Sequence, residues 1–70
     1  MTAPMDWEDA LARFEAGTMR RRVFTLSSPG VAQVTRARLL SAYRTRVRMR
    51  TERNRMIWEK PGALARGARR

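Results

Sequence analysis

The 70-residue chain contains no cysteine and no histidine, and it has no long apolar run. Without cysteine it forms no disulfide and offers no thiolate to a metal. Because structural zinc is held by cysteine and histidine, we expect no metal site, and histidine-based acid–base catalysis is excluded. No stretch of about 18 apolar residues is available to cross a bilayer. We therefore expect no catalytic residue, no cofactor and no transmembrane segment.

Acidic side chains are also scarce, since 6 Asp and Glu stand against 16 Lys and Arg and give a net charge of +10. Such a basic excess is the electrostatic footprint of a nucleic-acid binder. All of the basic residues except Lys60 are arginine. The planar guanidinium suits bidentate contacts with phosphate. A GC-rich genome, in which arginine codons replace lysine codons, explains the same preference equally well. The arginine bias therefore does not decide between phosphate binding and genome composition.

Residues 1–17 have the pattern of an acidic amphipathic helix. Trp7, Leu11 and Phe14 recur at the spacing of one helical stripe, and the early acids favour a helix N-terminus. Gly17 is a typical stop. A helix of about three turns is too short to be stable alone in water. We therefore expect this segment to dock on another surface through its aromatic stripe.

Residues 18–28 predict a basic and apolar connector. Arg20, Arg21 and Arg22 form a basic cluster that precedes the short apolar run 23–26. Four residues are consistent with either a strand or an ordered loop, and the pattern leaves both open.

Residues 29–60 predict one long arginine-rich helix, capped by Ser28 and stopped at Lys60-Pro61. At 1.5 Å per residue it would extend roughly 45 Å. Residues 61–70 predict an extended basic tail. The fold class expected from these segments is mostly α and non-globular, ordered only within an assembly.

Sorted by helical angle, residues 29–60 show two narrow apolar stripes separated by two basic flanks. This pattern indicates a helix enclosed by several neighbours, some of them anionic. The arginines assigned to RNA or another anion are Arg20, Arg21, Arg22, Arg44, Arg46, Arg48, Arg53 and Arg55. The side chains assigned to protein docking are Trp7, Leu11, Phe14, Leu40, Tyr43, Val47 and Trp58.

The segment 36–44 resembles the first-helix signature of the LYR-motif proteins, which are small, basic, helical mitochondrial proteins. Ala42, Tyr43 and Arg44 stand where that family has Leu-Tyr-Arg, so the leucine is missing. The resemblance covers about nine residues and implies a three-helix fold and a mitochondrial setting.

The function expected from the sequence is a non-enzymatic structural subunit of a ribosome-like ribonucleoprotein, with arginines on RNA phosphate. The alternative is an accessory subunit of a mitochondrial respiratory-chain or ATP synthase complex. The expected partners are RNA and other protein subunits, with peripheral contact to anionic lipid left open. We expect an intracellular protein, mitochondrial or cytoplasmic, that is not stable as a free monomer.

Overall fold

Helices and strands are interspersed along the chain in the computed structural model, which describes residues 5–61. The elements in chain order are α1 (Trp7–Ala16), β1 (Arg21–Thr25), α2 (Pro29–Ala42), β2 (Arg48–Glu52) and β3 (Arg55–Glu59).

Helix α1 is the amphipathic helix that the sequence predicts. Its N-cap is Asp6, whose carboxylate accepts a hydrogen bond from the backbone N–H of Asp9 at 3.1 Å. This bond satisfies one of the donors that the first helical turn leaves unpaired. The helix ends at Gly17, whose own N–H donates to the carbonyls of Arg13 and Phe14. The boundaries therefore follow from local capping chemistry.

The long helix predicted over residues 29–60 is wrong. Helix α2 begins after the Ser28 cap, as expected, but it ends at Ala42, and the chain continues into a hairpin of β2 and β3. From residue 46 to residue 50 the arginines at even positions are exposed, whereas Val47 and Met49 are buried. This period of two is that of a strand. Plotted on a helix, a two-residue period spreads arginine over several sides.

The three strands form one antiparallel sheet in the order β1-β3-β2. The connector predicted over residues 18–28 thus contains a true strand, so the strand alternative holds there. Strand β3 is central and includes the apolar run Met56, Ile57 and Trp58, all of which are buried. A central strand with neighbours on both edges is where a continuous apolar run is expected.

Both helices pack on one face of the sheet. The buried cluster joins Leu11 and Phe14 of α1 and Leu39 of α2 to the inward positions of all three strands. The inward strand residues are Phe24, Met49, Met56 and Trp58. The expected mostly α, non-globular fold is therefore wrong, and the chain is a compact α+β globule. The sheet supplies the apolar surface that α1 was predicted to find on a partner.

The three-helix arrangement implied by the LYR resemblance is not found in residues 5–61, where α2 is the second of two helices and Tyr43 is its C-cap. Neither of these helices is long and apolar enough to cross a membrane. Of the predicted basic tail, only Pro61 belongs to the described part of the chain, and residues 62–70 lie outside it.

Candidate functional site

The sheet face that points away from both helices carries most of the charged side chains of the strands. Because side chains alternate across a strand, and directly paired residues share a face, the register fixes its three rows. In strand order β1, β3, β2 the rows are Arg21, Glu59, Arg48; then Val23, Ile57, Arg50; then Thr25, Arg55, Glu52. Four arginines and two glutamates thus lie on one surface, which we call the open face.

Ile57 forms the centre of the open face. It is only 1 % exposed, although it does not belong to the apolar cluster beneath the helices. Its cross-strand neighbours are Val23 and Arg50. Long charged side chains can cover apolar surface with their stems while their heads stay in water. We infer that the arginine stems shield Ile57 and that their guanidinium groups lie at the surface.

Arg50 is held between two carboxylates. It donates to Glu52 on its own strand and to Glu59 on β3, the latter at 3.4 Å. The hydrogen bond with Glu52, followed by the one with Glu59, raises the pKa of Arg50 above its ordinary value. On β1, the Nε of Arg21 lies 3.9 Å from a carboxylate oxygen of Glu59. The two glutamates therefore organise part of the open face and leave it with an excess of positive charge.

Arg48 and Arg55 complete the open face, and they differ from Arg50. Within residues 5–61 neither has an ion pair or a side-chain hydrogen bond, and both are exposed. Arg48 is paired across the strands with Glu59, and Arg55 with Glu52. Both of these glutamates form ion pairs with Arg50 instead. Their charge is consequently available to an external anion.

The turn that joins β2 and β3 contains only Arg53 and Asn54. Asn54 is tied to the segment after β1, because its carbonyl accepts from the N–H of Leu26 at 2.7 Å and its side-chain amide donates to the Leu26 carbonyl at 3.0 Å. Arg53 is exposed and has a φ angle of 57°. The tip of the hairpin is thus fixed in place and presents one arginine to solvent.

A second basic region lies where the loop before β2 meets the end of β3. A groove of about 530 Å³ is lined by Arg44, Arg46 and Lys60 together with the acid Glu15. Glu15 accepts a hydrogen bond from the Thr45 hydroxyl. The Lys60 ammonium donates to the carbonyl of Gly17 at 2.7 Å and lies over the ring of Phe14. Glu15, Thr45 and Lys60 are therefore engaged within the fold, whereas the exposed side chains of Arg44 and Arg46 make no hydrogen bond or ion pair within residues 5–61.

The remaining predicted anion contacts have other surroundings. The guanidinium of Arg22 stacks over the Phe24 ring at 4.6 Å from its centroid. Arg20 lies between α1 and β1, and its carbonyl accepts from the N–H of Lys60 at 3.0 Å. The structure thus brings Arg21, Arg48 and Arg55 together on the open face, and it separates Arg20 and Arg22 from them.

The side chains predicted to dock on a partner are mostly interior. Leu11, Phe14, Val47 and Trp58 are buried in the chain's own core, and Trp7 and Tyr43 pack against that core. Leu40 differs from the rest, because it is 42 % exposed on α2.

The prediction missed Arg50, which lies in the middle row of the open face. A helical projection places it inside an apolar sector, whereas the two-residue spacing of Arg46, Arg48 and Arg50 would have placed it beside Arg48. The same spacing predicts the buried positions of Val47 and Met49. The signal for Arg50 was therefore present in the sequence, as the two-residue period of a strand rather than the 3.6-residue period of a helix.

Among residues 5–61, no group of acidic side chains is arranged to hold a metal ion. Comparisons with protein-family models, curated proteins and solved structures find no match. The fold and the site together define a small α+β domain with one helix-covered sheet face and one basic open face.

Proposed function

We propose that this protein binds the phosphodiester backbone of structured RNA through the open face, as a non-enzymatic component of a ribonucleoprotein. The observation that carries the proposal is the pair Arg48 and Arg55, two exposed cations without partners in the described part of the chain. A guanidinium fork matches phosphate geometry. Arg21 and Arg50 add charge from positions that Glu59 holds in place.

The distribution of aromatic residues favours a structured partner over an unstructured strand. Proteins that hold single strands stack bases on exposed aromatic rings. Here the register puts no aromatic side chain on the open face, and Phe24 and Trp58 point to the core. The face offers arginine to phosphates and no platform to bases. Contact with the backbone of a folded or double-helical RNA fits this chemistry best.

The spacing of the arginines allows contact with several phosphates at once. Arg21 and Arg48 stand in the same row on the two outer strands, so their backbones are about 10 Å apart, at two strand spacings. Each phosphate neutralised by a basic side chain releases counterions, which makes binding weaken as salt rises. A face that contacts about three phosphates should give a log–log salt slope near −2 to −3.

The test is the affinity of the whole protein for an RNA hairpin at several salt concentrations, measured by fluorescence anisotropy. The double variant Arg48→Gln with Arg55→Gln keeps part of each aliphatic stem and removes two charges. We expect its affinity to fall about tenfold or more at about 0.15 M salt, and its salt slope to become shallower by about 2.

The matched control is Arg38→Gln with Arg44→Gln, which removes the same net charge from two exposed arginines outside the open face that also lack ion pairs within residues 5–61. A smaller loss in the control supports a localised site, whereas equal losses in both double variants contradict it. The affinity is also measured for an unstructured RNA strand and for a DNA duplex with the same number of phosphates. These two ligands show whether the protein prefers structured RNA to other phosphodiester backbones. Weaker binding to the hairpin than to the unstructured strand would overturn the preference for structure.

A further inference from the structure

The hairpin tip places an arginine where the backbone favours glycine. Arg53 is the first residue of a two-residue turn, and its φ of 57° lies in the left-handed region. It is the one non-glycine residue with positive φ within residues 5–61. In two-residue hairpin turns such positions are usually filled by Gly, Asn or Asp, because a Cβ is strained there. The choice of arginine therefore works against stability.

The fold does not compensate for this strain through the Arg53 side chain. That side chain makes no hydrogen bond, ion pair or ring contact with any other described part of the chain, and it is exposed. Asn54 alone fastens the tip, through its two hydrogen bonds with Leu26. A residue that is strained, exposed and rigidly presented has the properties of a ligand-contacting position.

We propose that Arg53 enters the minor groove of double-helical RNA, where its guanidinium donates to 2′-hydroxyl and base-edge acceptors while the open face holds the phosphates. This inference rests on the proposed function. Strands in a sheet are about 5 Å apart, so a two-residue tip is narrow. The minor groove of A-form RNA is wide and shallow and displays these acceptors. The minor groove of B-form DNA lacks the 2′-hydroxyl, so it offers the guanidinium fewer acceptors.

The decisive variant is Arg53→Gly, because stability and binding should change in opposite directions. Relief of the strained backbone should raise the melting temperature by about 4 °C. Loss of the groove contact should lower the affinity for an RNA duplex about fivefold, and lower it less for a DNA duplex. Arg38→Gln removes one exposed and unpaired charge from α2 and provides the control for net charge. A glycine variant that binds RNA as well as this control would overturn the inference.

Arg53→Lys separates the guanidinium fork from simple charge. Lysine keeps the charge but lacks the planar fork, so we expect it to recover less than half of the lost affinity. Full recovery would mean that charge alone acts at the tip, and it would overturn the groove contact. The two proposals fail separately. If Arg48→Gln with Arg55→Gln weakens binding while Arg53→Gly does not, only the Arg53 inference is wrong. If wild-type protein does not bind RNA, the proposed function itself is wrong.

Discussion

Trp58 connects most of the aromatic side chains in the core. It is fully buried, and its ring lies 4.5 Å from Phe24, 5.7 Å from Phe14 and 6.0 Å from Trp7, centroid to centroid. Its indole Nε1–H, however, has no hydrogen-bond acceptor among the described residues. A buried donor without a partner costs about 1–3 kcal/mol. The largest core residue thus combines extensive packing with an unsatisfied polar group.

We therefore expect Trp58→Phe to change the free energy of unfolding by no more than about 1 kcal/mol, because removal of the unpaired donor offsets part of the lost packing. Trp58→Ala, which loses the whole ring, should cost about 3–5 kcal/mol. Chemical denaturation of both variants measures the difference. A loss above about 2 kcal/mol for Trp58→Phe would contradict this expectation, because the lost packing would then outweigh removal of the unpaired donor.

Individual arginines show why the total charge was predictable and the site was not. Arg36 donates to the carbonyl of Met49 at 2.9 Å and so serves the fold, joining α2 to the edge strand β2. Arg22 lies over Phe24, and Arg50 lies between two glutamates. The same side chain therefore has three different roles. Tertiary contacts, strand register among them, determine which role applies, and composition contains no information on these contacts.

At the scale of elements, both ends of α1 and the start of α2 have local signals in the sequence, whereas the end of α2 at Ala42 and the last two strands were not predicted. Asp6, Gly17 and Ser28 act through hydrogen bonds within a few residues, so short sequence windows reveal them. The hairpin depends on pairing with β1, which lies more than 20 residues earlier. Its Arg53-Asn54 turn also lacks the glycine that normally marks a hairpin. A continuous helix was consequently predicted across a turn that has no standard signal.

The N-cap of α2 offers a sharp test of this local chemistry. The Ser28 hydroxyl accepts from the N–H of Val31 at 3.1 Å, whereas neighbouring Ser27 has no such contact in the described part of the chain. We expect Ser28→Ala to lower the free energy of unfolding by about 1 kcal/mol. Ser27→Ala should change it by less than about 0.5 kcal/mol. Equal effects in urea denaturation would show that the cap does not stabilise α2.

At the scale of the whole molecule, charge and packing are segregated by layer. The helix-covered face of the sheet is apolar and closed, and four of the six acids precede β1, in or next to α1. The open face is basic and lacks a covering layer in residues 5–61. Antiparallel sheets commonly leave one face to solvent. The fold therefore provides its own core and leaves the opposite surface of the sheet basic.

This arrangement predicts that the isolated protein unfolds cooperatively as a monomer, because α1 finds its apolar contacts within the chain. A single domain of this size usually unfolds in one transition. Its net charge of +10 opposes compaction, so raising salt from about 0.01 M to about 0.15 M should increase the melting temperature.

Leu11→Ala, which opens a cavity beneath α1, should lower the free energy of unfolding by about 2–5 kcal/mol. Exposed Ala12→Ser on the same helix is the control and should change it little. Circular dichroism during heating, at several protein concentrations, measures these effects. A gradual melt without a transition, or a melting temperature that rises with protein concentration, would show that the core forms only on association with a partner or a second copy.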